Sequence, residues 1–379
     1  MLNDPNIELT DESILEEEDN EEEQEETVNF QYDPEKINII TKEPTIEQLL
    51  RRIDEEALDL APDFQRQANI WNQVAKSRLI ESILIRIPLP AFYIDATNDE
   101  QWLVVDGLQR LSALKNFVSD KTLKLTGLEY LTELTERTYD QLERRYQRRI
   151  LETQVTAYLI AQGTPDEVKY NIFKRINTGG VPLSPQELRH ALNPVTATKF
   201  LTRLSESQEF CRVITLSDSK KKRMDDREFV LGFLAFKLTS YKDYKKDSKE
   251  ETRDSFLSKA LYKINTLSQE NINKLEEDFK KVMIAAFEIF GENAFRKISN
   301  KNKKKYPANK ALFESWSVNL SQLTKQEIRT LKDRKQHLID IFTSYVDNDK
   351  EFLSSISQAT NKIEYRFLTI EKIIKEALS

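Results

Sequence analysis

A strand-to-helix turn, Asp106-Gly107-Leu108-Gln109-Arg110, carries the residue types that phosphate chemistry needs. A helix N-terminus presents N–H groups without intrahelical partners and the positive end of the helix dipole, so it receives an anion. Gly107 permits close approach of the backbone. Gln109 and Arg110 fall in the first turn, from which an arginine can grip phosphate oxygens in a bidentate way. Asp106 supplies a carboxylate for a divalent cation. The plainer reading of the same residues makes Asp106 an ordinary helix cap and Arg110 half of a surface ion pair.

Two further segments are candidates to converge on that turn. Gln65 and Arg66 follow an extended run and precede a helix, which would put them at the edge of the same sheet. Arg175, Asn177, Thr178, Gly179 and Gly180 close a helix on a glycine-rich loop, where successive amides can form an anion-binding nest. Taken alone, that loop is better read as a plain helix stop, since Gly is the usual residue after a helix end. Glu187 reads as a capping-box residue. Lys220, Lys221, Lys222 and Arg223 form one basic loop cluster and Lys301, Lys303, Lys304 and Lys305 another. Both would suit the phosphates of DNA, although little aromatic character is interleaved and solvated surface is the simpler reading.

Other chemistries are excluded by what is missing. Cys211 is the single cysteine and His190 and His337 are the two histidines, so a zinc finger cannot form and a histidine-rich nuclease centre is disfavoured. A lone thiol reads as a packing residue in a reducing compartment. No G-x-x-x-x-G-K-[ST] occurs, which removes a P-loop. No run approaches the roughly 18 apolar residues of a membrane span, and the N-terminus is acidic where a secretory signal is basic. A cytoplasmic protein without a membrane partner is expected.

The elements that must position these residues follow from spacing. Thr45-Ile46-Glu47-Gln48 has the form of a capping box and opens a helix through Ile53. Leu58-Asp59-Leu60 alternates as extended chain. Leu79, Ile80, Ile83, Leu84 and Ile87 recur at helical spacing, predicting a core-facing helix over Ser77 to Ile87. Ala91–Ile94 and Trp102–Val105 read as a hairpin, and its second strand delivers Asp106 into a helix begun by Leu111, Leu114 and Val118. Arg137 to Arg149 reads as a polar, arginine-rich helix and Gln154 to Ile160 as a strand. Thr164-Pro165-Asp166-Glu167 and Ser184-Pro185-Gln186-Glu187 are two helix starts of the same type. Beyond Ala191 the periodicity is helical almost throughout, as in Leu275, Phe279, Val282, Met283, Ala286, Phe287 and Phe290 closed by Gly291.

Charge divides the chain. Its formal net charge is −7, yet residues 1–35 hold 15 carboxylates and no Lys or Arg. Subtracting those 15 from the 64 acidic residues leaves 49 against 57 basic ones, a body at +8. The spacing and composition predict a disordered acidic leader over 1–35, an α+β domain over 36–190 and a helical domain over 191–379. The leader reads as a solvating tail, or more sharply as a polyanion competing for a basic groove.

Four segments in order carry a resemblance: F-Q-R at Phe64 to Arg66, S-R-L-I-E-S-I-L-I-R-I-P-L-P at Ser77 to Pro90, D-G-L-Q-R-L-S-A-L at Asp106 to Leu114, and F-K-R-I-N-T-G-G-V-P-L-S-P-Q-E-L-R at Phe173 to Arg189. Together they resemble the N-terminal domain of GmrSD-type modification-dependent restriction enzymes, a family marked by a D-G-Q-Q-R motif. Looser similarity runs through Asp226 to Leu231, Ala311 to Trp316 and Tyr365 to Phe367.

The resemblance implies a ParB/sulfiredoxin-like α+β fold with a small mixed sheet, then an all-helical C-terminal domain. It implies nucleoside-triphosphate binding or hydrolysis with Mg2+ or Mn2+ and a role in defence against foreign DNA. Asp106, Gly107, Gln109 and Arg110 would form the phosphate and metal turn, with Gln65 and Arg66 beside it. Leu108 stands where the family commonly has Gln, so turnover is expected to be poor if that Gln serves hydrolysis. Many relatives carry a His-Asn-His nuclease domain, which the two isolated histidines here do not supply. The leading expectation is therefore a triphosphate-binding, metal-dependent sensor or regulatory protein of a DNA-restriction system, acting with a separate nuclease or defence subunit. A non-catalytic DNA- or partner-binding module is the alternative, and a ParB-like DNase ranks third.

Overall fold

In the computed structural model the described residues are 37–60, 71–176, 184–192, 195–244, 252–301, 305–357 and 362–379. The acidic leader, Gln65, Arg66, Asn177, Thr178, Gly179, Gly180, Lys303 and Lys304 lie outside them. The chain divides into two units, one ending at Leu192 and one running from Asn193 to Ser379.

Five strands build the sheet of the first unit: β1 (Ile39–Lys42), β2 (Leu58–Asp59), β3 (Phe92–Ala96), β4 (Trp102–Asp106) and β5 (Ala157–Ala161). Their order is β1-β5-β3-β4-β2. The sheet is mixed, since β1 runs antiparallel to β5 and β3 to β4, while β3 is parallel to β5 and β2 to β4. The expected hairpin is present. Strand β1 was not expected, because Ile39-Ile40-Thr41-Lys42 is a four-residue edge whose side chains are all exposed and show no alternation.

Among the described residues six α-helices accompany the sheet: α1 (Ile46–Asp54), α2 (Gln73–Leu84), α3 (Leu108–Val118), α4 (Arg144–Glu152), α5 (Asp166–Ile176) and α6 (Pro185–Leu192). Helix α1 starts on the expected capping box, with Thr45 and Gln48 bonded reciprocally. Alternation along the strands splits the apolar side chains between two faces. Ile94, Val104 and Leu159 join Leu79, Ile83, Leu111, Leu114 and Phe117 in one core cluster. Ile160 and Val105 face Tyr170, Phe173 and Leu188 of α5 and α6.

Two boundaries differ from expectation. Helix α2 begins at Gln73, capped by Asn72, whose side chain accepts from the Ala75 amide, and ends before Arg86, which takes φ +67°. Between Arg137 and Glu143 the chain is a single 3-10 turn, Tyr139–Gln141, so only Arg144–Glu152 is the arginine-rich α-helix. Thr138 and Gln141 form their own reciprocal cap there, which competes with continuing the helix.

The second unit is helical among its described residues: α7 (Val195–Ser205), α8 (Gln208–Val213), α9 (Asp218–Lys222), α10 (Asp225–Leu238), α11 (Arg253–Asn265), α12 (Gln269–Phe290), α13 (Lys310–Leu320), α14 (Lys325–Asp333), α15 (Lys335–Asn348), α16 (Lys350–Ser357) and α17 (Ile363–Leu378). Aromatic residues fill its core, with Phe233 against Phe279, Phe290 against Trp316, and Tyr241 stacked on Phe367. The α+β then all-helical order agrees with the expectation. No helix among the described residues is long and apolar enough to cross a membrane.

Candidate functional site

Strand β4 ends on Asp106, and one residue later α3 begins. Gly107 is the N-cap of α3, with φ +99° and no side-chain cap. This position needs glycine twice over. The left-handed backbone disfavours a side chain, and a Cβ would lie 2.3 Å from Cδ1 of Phe92. Asp106 is therefore not the helix cap. Among the described residues no side-chain oxygen caps the first turn of α3, and the positive end of its dipole lies at Gly107.

Arg110 departs furthest from its expected role. Neither a surface ion pair nor an arm reaching into solvent, it is 8% exposed. Its Nη1 donates to the Pro90 carbonyl, and its Nη2 to the Ala91 carbonyl at 3.1 Å and to Asp106 Oδ2 at 2.9 Å. The guanidinium also lies 4.5 Å from the centroid of the Phe92 ring. Burial lowers its pKa, and the Asp106 carboxylate opposes that shift. Arg110 thus ties the entry of β3 to the exit of β4. Gln109 is half-buried, and its Oε1 accepts from the Trp71 amide at 3.5 Å.

Arg175 is exposed in the last turn of α5, and among the described residues no hydrogen bond or ion pair links it to the turn. Glu187 closes a capping box with Ser184, as its spacing predicts. Lys220, Lys221 and Lys222 are not in a loop but on α9, with Arg223 as its C-cap, and Lys221 and Lys222 are exposed. Lys305 pairs with Glu292 at 2.7 Å, and Lys301 donates to the Asp347 carbonyl. Cys211 is exposed rather than packed.

Spacing did not reveal two buried polar groups. Glu81 accepts from the amides of Glu129, Tyr130 and Leu131, 48–50 residues away. Lys169 of α5 lies 3.6 Å from Asp95 of β3, and both side chains are about nine-tenths buried. Periodicity reports which face a residue takes, not a partner that distant in sequence.

The match that places this unit is to a protein-family model. Residues 46–193 match the GmrSD restriction endonuclease, N-terminal domain. The region contains all four segments on which the resemblance rests, and the turn at Asp106 lies within it. Looser similarity beyond Asp226 falls outside the matched residues. No curated protein and no solved structure matches the chain.

Among the described residues no group of three or more His, Cys, Asp or Glu is placed to hold a metal ion. Asp106 alone, already paired with Arg110, does not make a metal cage.

Proposed function

We propose that the chain is a nucleoside-triphosphate-binding sensor or regulatory component of a DNA-restriction system, with the phosphates seated on the first turn of α3. The glycine-capped N-terminus of α3 at the end of β4, inside the region of the family match, carries this reading. Backbone amides and the helix dipole would hold the phosphate charge, and Gln109 would reach the bound group. Arg110 and Asp106 would hold the turn in shape rather than grip the nucleotide. Mg2+ or Mn2+ would arrive with the triphosphate, sharing its oxygens with Asp106 at most, in the manner usual for magnesium. The exposed Lys221 and Lys222 beside Arg223 would meet DNA, with strand cleavage left to a separate nuclease subunit.

Titration of the full chain with the four triphosphates by calorimetry, followed by phosphate-release assay, tests the proposal. Gln109→Glu is the informative variant, because it keeps the acceptor for the Trp71 amide and suits the helix dipole while placing negative charge at the phosphate. Wild type should bind at least one triphosphate, and Gln109→Glu should bind it at least tenfold more weakly with its fold intact. No triphosphate binding, or equal affinity in Gln109→Glu, would sink the proposal. The endonuclease family supports a second reading, in which this unit cuts DNA itself. Plasmid incubated with protein and Mg2+ or Mn2+ would then be nicked, and Asp106→Ala would not nick it.

A further inference from the structure

At the opposite end of β4 from Asp106, a cavity of about 220 Å3 opens between α1 and the sheet. Its polar lining comes from Lys42, Gln48, Arg51, Arg52 and Trp102. Every one of these is a donor. Lys, Arg and the indole have no acceptor atom, and the Oε1 of Gln48 accepts from the Thr45 amide in the capping box. Among the described residues no carboxylate lines the space and none lies within ion-pairing distance of Lys42, Arg51 or Arg52.

The cations are held close together rather than dispersed. Arg52 lies 3.9 Å from the centroid of the Trp102 ring and Lys42 lies 5.6 Å from it, so two positive charges share one indole. Trp102 Nε1 is buried and has no hydrogen-bond partner. Buried donors without acceptors are uncommon and call for an explanation. A bound anion answers both features at once, neutralising like charges that otherwise repel and accepting from the orphaned donors.

We infer that this cavity is a second anion site, independent of the α3 turn, that takes a small phosphorylated compound. Phosphate suits it because three cationic side chains and two neutral donors match several oxygens on one dianion. The floor is aliphatic, from Leu49 and Leu159, and would receive an uncharged remainder. The volume sits below the roughly 300–1,000 Å3 of sites for drug-sized ligands, so the remainder is no larger than about a pentose.

Ribose 5-phosphate is the probe, with ribose as the uncharged control, titrated into the full chain by calorimetry with tryptophan fluorescence as a second readout. Saturable binding of the phosphate but not of ribose is expected, with affinity reduced at least tenfold in Arg52→Gln and in Lys42→Gln. Gln109→Glu, which should lose the triphosphate, should bind it as wild type does, which separates this site from the triphosphate site. Circular dichroism establishes that the variants are folded. The inference is overturned by absence of binding, by equal binding of ribose, by affinity unchanged in both cation variants, or by loss of binding in Gln109→Glu.

Discussion

Phe92 decides what Gly107 and Arg110 can be. Its ring fills the space where a Cβ on residue 107 would sit and supports the Arg110 guanidinium. Gly107→Ala should therefore cost about 1–3 kcal/mol from left-handed backbone strain alone, with the displaced ring adding to it. Arg110→Lys should also destabilise, since one ammonium cannot serve the Pro90 and Ala91 carbonyls and Asp106 together. Each buried acceptor left unmet costs about 1–3 kcal/mol. Urea denaturation of both variants checks this, and a stable Arg110→Lys would refute the strut. The motif was legible in sequence as a strand, a glycine and a helix start. Arg110's employment was not, because the carbonyls it serves lie 19 and 20 residues upstream across a hairpin.

Helix α2 shows the same limit for an element. Its apolar stripe of Leu79, Ile80, Ile83 and Leu84 was readable from spacing, and those four side chains are buried. Glu81 belongs by period to the polar side, yet it is 4% exposed. Nothing local announces this, since the amides it accepts from belong to residues 129–131. Burial works to raise its pKa, but those three backbone N–H groups, with Arg78 beside them, hold it below the ordinary 4.5. A carboxylate with a depressed native pKa contributes stability that is fully present above its unfolded value and is lost as pH falls through its folded one. Glu81→Gln should thus be less stable than wild type at pH 7, by about 1.5–3 kcal/mol for a hydrogen bond to a charged group. That difference should shrink as pH drops through 4.5 and below. Thermal melts of both proteins across the range measure it, and a gap that does not vary with pH would refute this account of Glu81.

Across the whole molecule, the longest-range surprise is ionic and lies in the helical unit. Helices α10, α11, α13 and α17 surround Glu314, which is 1% exposed and bonded to Arg253 Nη2 at 2.5 Å and to Arg366 Nη2 at 3.1 Å. Lys310 joins Glu228 at 3.0 Å and Asp225 at 3.5 Å, and Arg253 lies 3.9 Å from Glu228. Gly232 leaves the room, because a Cβ there would meet Glu314 Oε1 at 2.6 Å. Glu228 lies in the segment D-R-E-F-V-L, Glu314 in A-L-F-E-S-W and Arg366 in Y-R-F, and none of the three stood out there from its neighbours by type or spacing. Helical periodicity showed the frame but not that its centre is charged, because buried ion pairs follow no repeat. Full burial lowers the Arg366 pKa to about 10, with Glu314 opposing the shift, so the guanidinium stays charged at neutral pH. Removing one partner strands the other's charge. Arg366→Met should therefore cost about 3–5 kcal/mol, whereas replacing a buried pair with apolar side chains is often close to neutral. Glu314→Leu combined with Arg366→Met should accordingly lose much less than the sum of the single variants. A double-mutant cycle by urea denaturation, followed through the tryptophans, gives the coupling directly. Additive losses would mean that the two charges do not stabilise one another, and that the network is carried by its separate bonds to Arg253 and to the Ser355 carbonyl.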